Sequence, residues 1–120
     1  MPSTVRPIIV TSDIDRLHAF YVGLVGASVT MRYPEEGPAF YIGLAVGDSE
    51  LGLSASDEVR PGAPGRMLLS IDVPDVDAAL ATVETLGGAA DGPANDMPWG
   101  QRVAHIKDPD GNVVNLTQSL

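Results

Sequence analysis

The chain has 120 residues, no cysteine and a formal net charge of −9. That length makes one domain able to bury roughly two thirds of the surface its unfolded form exposes. The missing cysteines exclude disulfide frameworks, thiolate metal sites and cysteine nucleophiles. Seven basic residues scattered from Arg6 to Lys107 against sixteen acidic ones exclude a phosphate-binding surface, so no nucleic-acid partner is expected. The acidity serves solubility, or steers a cationic small molecule towards the protein. The first residues lack the basic-then-apolar pattern of a signal peptide, and no stretch nears the ~20 apolar residues that span a bilayer. The expectation is a cytoplasmic protein without membrane contact.

In chain order, Pro7-Ile8-Ile9-Val10 reads as a short strand ended by Thr11-Ser12-Asp13. Ser12 with Asp15 three residues on gives a capping-box-like helix start. Ile14, Leu17, Tyr21 and Leu24 then recur at helical spacing until Gly26. Val29, Met31 and Tyr33 alternate as a strand closed by Pro34, and Phe40–Ile42 and Leu51–Leu53 form two more around a Gly47-Asp48 turn. The Ala-, Ser-, Pro- and Gly-rich segment at about 55–65 is a linker. Beyond it, Met67 to Val73 is a strand, and Pro74-Asp75 opens a helix with the apolar face Val76, Leu80, Val83 and Leu86, ended by Gly87-Gly88. A weak strand near Ala89, a loop through Pro93, Asn95, Pro98 and Trp99, and two strong strands at about 101–107 and 112–118 complete the chain.

The halves repeat. Asp13-Ile14-Asp15 matches Asp75-Val76-Asp77, and Gly26-Ala27 matches Gly88-Ala89, both at an offset of 62. A matched helix start and a matched stop predict an α+β fold of two βαβββ modules, at about 5–54 and 66–120. Their mixed sheets would join around a shared concavity.

The stretch from Val10 to Asp15, then Phe20-Tyr21 and Leu24-Val25-Gly26, resembles the first module of the vicinal-oxygen-chelate superfamily. Asp108-Pro109-Asp110-Gly111-Asn112 followed by Val113–Leu116 resembles its closing hairpin. That superfamily includes glyoxalase I, extradiol dioxygenases, fosfomycin-resistance enzymes and bleomycin-resistance binding proteins. The resemblance implies a glyoxalase/bleomycin-resistance fold, and in the enzymes a divalent metal held from four strand positions. Carried over, those positions fall on Arg6, Gly52, Leu68 and Asn115. Arginine has no acceptor, glycine and leucine have no donor atom, and one carboxamide oxygen does not hold zinc, nickel or iron alone. The expectation is therefore no metal and no other cofactor.

Strand alternation places Arg6, Ile8 and Val10, then Leu68, Ser70 and Asp72, then Val113, Asn115 and Thr117 on the concave side. Met67, Leu69, Ile71 and Val73 pack against the helix. Asp72 needs a partner there, which Arg6 or a cationic ligand would supply. Trp99 either lids the core or stacks on a ligand; its Trp-Gly-Gln-Arg run looks like the groove segment of bleomycin- and mitomycin-type resistance proteins. Arg102 pairs with an acidic ligand group or Asp72, or lies on the surface. His105 faces the cavity or is a structural histidine, and His18 sits on the helix surface. Tyr33, Phe40 and Tyr41 divide between core and ligand stacking. The candidate ligand-binding set is Arg6, Phe40, Ser70, Asp72, Trp99, Arg102, His105 and Asn115, with no catalytic residue assigned.

The resulting reading is a metal-independent binding protein for a planar or cationic small molecule, of the antibiotic-sequestering kind. The resemblance further implies a homodimer. The competing reading is a glyoxalase-like lyase or isomerase, acting through His105 or Asp72, without metal or with one held by Glu50, Asp72 and His105.

Overall fold

A computed structural model of the chain describes residues 6–62 and 68–120. It divides into two units, Met1–Arg60 and Pro61–Leu120. Met67, where the fifth strand was expected to begin, and residues 63–65 of the expected linker lie outside the described residues. The fold is α+β, with two βαβββ-like modules that each form a mixed sheet.

In the first unit, β1 (Ile8–Thr11) leads into α1 (Ile14–Val25), then β2 (Ser28–Tyr33), β3 (Tyr41–Val46) and β4 (Ser49–Ala55). The sheet order is β1-β4-β3-β2, with β1 parallel to β4 and the other pairs antiparallel. Helix α1 forms because Ile14, Leu17, Phe20, Tyr21 and Leu24 make one stripe, and all five are buried. Phe20 and Tyr21 meet edge to face with ring centres 5.1 Å apart. The N-cap is Asp13 rather than the expected Ser12. Strand β1 runs one residue further than read, through Thr11, whose hydroxyl accepts from the Asp13 N–H at 3.0 Å; Asp13 in turn accepts from the Arg16 N–H at 3.1 Å. Gly26, at φ 66°, closes the helix in the left-handed conformation.

The β2 strand departs from simple alternation. A bulge at Thr30 pairs Val29 with Leu44 and Met31 with Gly43, so Val29 leaves the face that Met31 and Tyr33 share.

The second unit holds β5 (Leu69–Asp72), α2 (Val76–Thr82), β6 (Ala89–Ala90), β7 (Asn95–Met97), β8 (Gln101–Lys107) and β9 (Val113–Ser119). Its sheet order is β5-β9-β8-β6, with β7 also pairing with β8 and β5 parallel to β9. The segment read as a loop through Asn95 thus contains a short strand. Helix α2 is shorter than expected, ending at Thr82. Beyond it the backbone tightens: the Val83 N–H bonds to the Leu80 carbonyl and the Gly87 N–H to that of Glu84, while the Thr82 hydroxyl donates to the Ala79 carbonyl. Val76 and Val83 are nonetheless fully buried, so the apolar face persists past the regular helix. Among the described residues no helix is long and apolar enough to cross a membrane.

Candidate functional site

Each sheet has one face packed by its helix and one face left open. In the first unit Ile42, Leu44, Leu51 and Leu53 point to the helix side and are buried. The alternate residues form the open face in two registered rows. One is Ile8–Gly52–Gly43–Met31 and the other is Val10–Ser54–Tyr41–Tyr33. Ile8, Val10, Met31 and Tyr33 are 52, 48, 53 and 62% exposed, an apolar and aromatic surface far larger than a scattered side chain. Phe40, just before β3, is also exposed, and its N–H bonds to the Tyr33 carbonyl at 2.7 Å. Tyr33 and Phe40 therefore do not fill the core.

The two glycines in the first row explain the platform. A side chain at Gly52 would put its Cβ 3.1 Å from Ile8 Cγ1 and 2.5 Å from the Tyr41 hydroxyl oxygen. Tyr41 lies across Gly52 and occupies the space where a ligand side chain at that position would project. Arg6 sits 2.7 Å (Nε to Oε1) from Glu50. Arg6 was one of two expected partners for Asp72, the other being a cationic ligand; its partner is the Glu50 carboxylate instead. Tyr41 was divided between core and ligand stacking, and Glu50 named only in the alternative metal set. Neither was in the candidate ligand-binding set, although the period-two placement of Glu50 with Gly52 was available in the sequence.

In the second unit the open face carries polar rows. Ser70, Asn115 and His105 are in register across β5, β9 and β8, and Asp72, Thr117 and Val103 form the next row. His105 is exposed, with Nδ1 2.8 Å from Asn115 Oδ1. A carboxamide oxygen only accepts, so in this contact Nδ1 is the donor to Asn115 Oδ1. Asp72 is exposed rather than buried, and it accepts a hydrogen bond from the Thr117 hydroxyl instead of an arginine. A buried, unpaired carboxylate does not arise.

Arg102 lies on the helix side, one residue out of phase with His105. It donates from Nε and Nη2 to Asp77 at 3.0 and 3.1 Å, and from Nη1 to Asp96 at 2.9 Å. These hydrogen bonds, Asp77 first, push the guanidinium still further above its already high range. Arg102 therefore clamps α2 to β7 and does not join Asp72. Trp99 is 67% exposed, so it does not lid the core; its indole N–H donates to Gln101 Oε1 at 2.9 Å. A surface groove in this unit is lined by Asp77, Leu80, Ala81, Glu84, Ala90 and Gly92; of the expected site residues, Arg102 reaches it, through its bonds to Asp77.

The positions that would hold a divalent metal do not fit one. Arg6 is an ion-paired cation, Gly52 lies beneath Tyr41, Leu68 is an exposed hydrocarbon and Asn115 is engaged with His105. Among the described residues no three His, Asp or Glu side chains are grouped to hold a metal ion.

The family model of the Glyoxalase/Bleomycin resistance protein/Dioxygenase superfamily matches residues 4–116. The chain belongs to this superfamily. It is 28% identical over 108 residues to "Putative glyoxylase CFP32" of Mycobacterium bovis, covering 90% of this chain and 41% of that protein. The chain thus spans about two fifths of that relative's length. Among solved structures it is similar to TioX from Micromonospora sp. ML1, at 24% identity and TM-score 0.78, with 99% of this chain and 100% of that one covered. A bleomycin resistance determinant encoded on the transposon Tn5 matches at 21% identity and TM-score 0.69, with 98% of both chains covered. At these identities the two structures establish the shared fold.

Proposed function

We propose that this superfamily member binds a small planar molecule without a metal, in the manner of a sequestering protein. The observation that carries the reading is the first unit's open face. There the positions that would supply metal ligands hold an Arg6–Glu50 ion pair and a glycine covered by Tyr41. Around them the sheet offers exposed Ile8, Val10, Met31 and Tyr33. Apolar walls with a few placed polar groups are the usual composition of a small-molecule site. The resistance determinant among the similar structures makes antibiotics the first compounds to try. A thermal-shift panel of glycopeptide and quinone antibiotics should contain at least one that raises the melting temperature; a flat response across the panel removes the antibiotic reading. Metal analysis of untagged protein should find no stoichiometric Ni, Zn, Mn or Fe, and a stoichiometric metal would overturn the ligand argument.

One observation favours a second reading, a metal-independent isomerase or lyase. Exposed His105 is oriented by Asn115, with Nδ1 2.8 Å from Oδ1, an arrangement that suits a general base. Proton–deuterium exchange at the α-carbon of a hydroxycarbonyl substrate, lost in His105→Gln, would establish it. The superfamily expectation of a homodimer extends to this chain as part of the proposal, and sedimentation at micromolar concentration tests it.

A further inference from the structure

We infer that the Arg6–Glu50 pair selects planar ligands carrying a lactam-type edge, an acceptor carbonyl beside a donor N–H. The inference rests on the proposed binding role of the first unit's open face and names the chemistry that face prefers. Arg6 meets Glu50 through Nε and Oε1 at 2.7 Å, with the two side chains 48 and 38% exposed. Among the described residues, neither Arg6 nor Glu50 has a partner beyond the other. Guanidinium nitrogens only donate and carboxylate oxygens only accept, so the pair presents a donor and an acceptor side by side.

The location gives the pair its role. Arg6 is two residues before Ile8 and Glu50 two before Gly52, so alternation puts both on the open face at the end of the apolar platform. Glu50 leans towards the bare backbone at Gly43, where an added Cβ would sit 3.6 Å from Oε1. An exposed ion pair contributes little to folding. At the rim of an apolar platform it discriminates instead, because a ligand that covers it must satisfy both partners. A simple cation meets the guanidinium, and a simple anion meets the carboxylate. A neutral ring edge with a carbonyl next to an N–H satisfies both.

Amide NMR titrations of the full chain test this with four bicyclic probes: carbostyril, N-methylcarbostyril, the N-methylquinolinium cation and quinaldate. Carbostyril should shift the amides of Ile8, Gly43 and Gly52 and bind about threefold to tenfold more tightly than N-methylcarbostyril, which lacks the donor. In Glu50→Ala the preference should turn to quinaldate, because Arg6 is then an uncompensated cation. Equal binding of carbostyril and its N-methyl derivative, tighter binding of the cation, or an unchanged order in Glu50→Ala overturns the inference and leaves the platform standing. No shift at these amides with any probe overturns the inference and also the binding reading of this face.

Discussion

The two units share a backbone plan and differ in what their open faces offer. Ile8 pairs with Gly52 in the first as Ser70 pairs with Asn115 in the second, both in parallel ladders. Asp13 and Asp75 cap the two helices through the same N–H three residues on, each at 3.1 Å. Yet one row reads Ile8–Gly52–Gly43–Met31 and the other Ser70–Asn115–His105. Helix-packed positions answer to burial and stay apolar in both units. Open-face positions are free of that constraint, so divergence between the halves concentrates there. Function is accordingly sought on those faces.

The sharpest way to test the likeness is to strain the equivalent hairpin turns. Gly47 joins β3 to β4 and Gly111 lies between β8 and β9, both at positive φ, 57° and 87°. A Cβ at Gly47 meets open space, whereas at Gly111 it would sit 2.3 Å from the Gly62 carbonyl oxygen. Gly62 itself donates its N–H to the Asp110 carbonyl at 3.2 Å, so the segment after the first unit docks on this turn. Gly111→Ala should cost about 3 kcal/mol or more, and Gly47→Ala about 1 kcal/mol, the strain of a left-handed alanine alone. Urea midpoints that fall equally for both variants would refute the docking.

Asp108→Ala comes next, at about 2–3 kcal/mol. This carboxylate is 3% exposed; Oδ1 accepts from the Asp110 and Asn112 N–H groups and Oδ2 from the Asn112 side-chain amide, all at 2.9 Å. Removing it leaves those donors without their acceptor. A loss below about 1 kcal/mol in denaturant would show that water replaces the carboxylate. Gly52→Ala should cost less, about 1 kcal/mol, because the group it meets is the tip of Tyr41 and the phenol can swing away. Pairing it with Tyr41→Ala should recover part of that loss; a loss that simply adds would show that Tyr41 does not fill the space above Gly52.

These residues also mark what could be read in advance. The helix stripes, the Gly26 stop, the Asp-Pro-Asp-Gly-Asn turn and the repeat were legible because each is a short-range signal with a fixed period or offset. The open faces were legible by alternation for Arg6, Ile8, Ser70 and Asn115. Alternation through Val29, Met31 and Tyr33 is interrupted at Thr30 by a bulge that carries no strong sequence mark. Partner choice was the other gap. Arg102 bonds to Asp77 and Asp96, 25 and 6 positions away, and Arg6 to Glu50. Charge counts name the candidates for such pairs but not the distances. The length of α2 was overread for a related reason: buried Val83 continues the apolar pattern after the regular helix has ended.

The smallest predicted effect separates the two helix starts. Asp13→Ala removes the acceptor for the Arg16 N–H and should cost about 1 kcal/mol. Asp75→Ala removes the equivalent bond to the Ala78 N–H, but α2 has a second anchor, because Gln118 Oε1 accepts from the Val76 N–H at 2.8 Å. That bond ties the first turn of α2 to β9 and holds the helix in place when its cap is gone. Asp75→Ala should therefore cost a few tenths of a kcal/mol less than Asp13→Ala. The double variant Asp75→Ala/Gln118→Ala should lose more than the two singles together, since neither anchor then holds the turn. Strict additivity in urea midpoints would mean the two bonds act independently, and the helix starts would then be as alike in energy as they are in sequence.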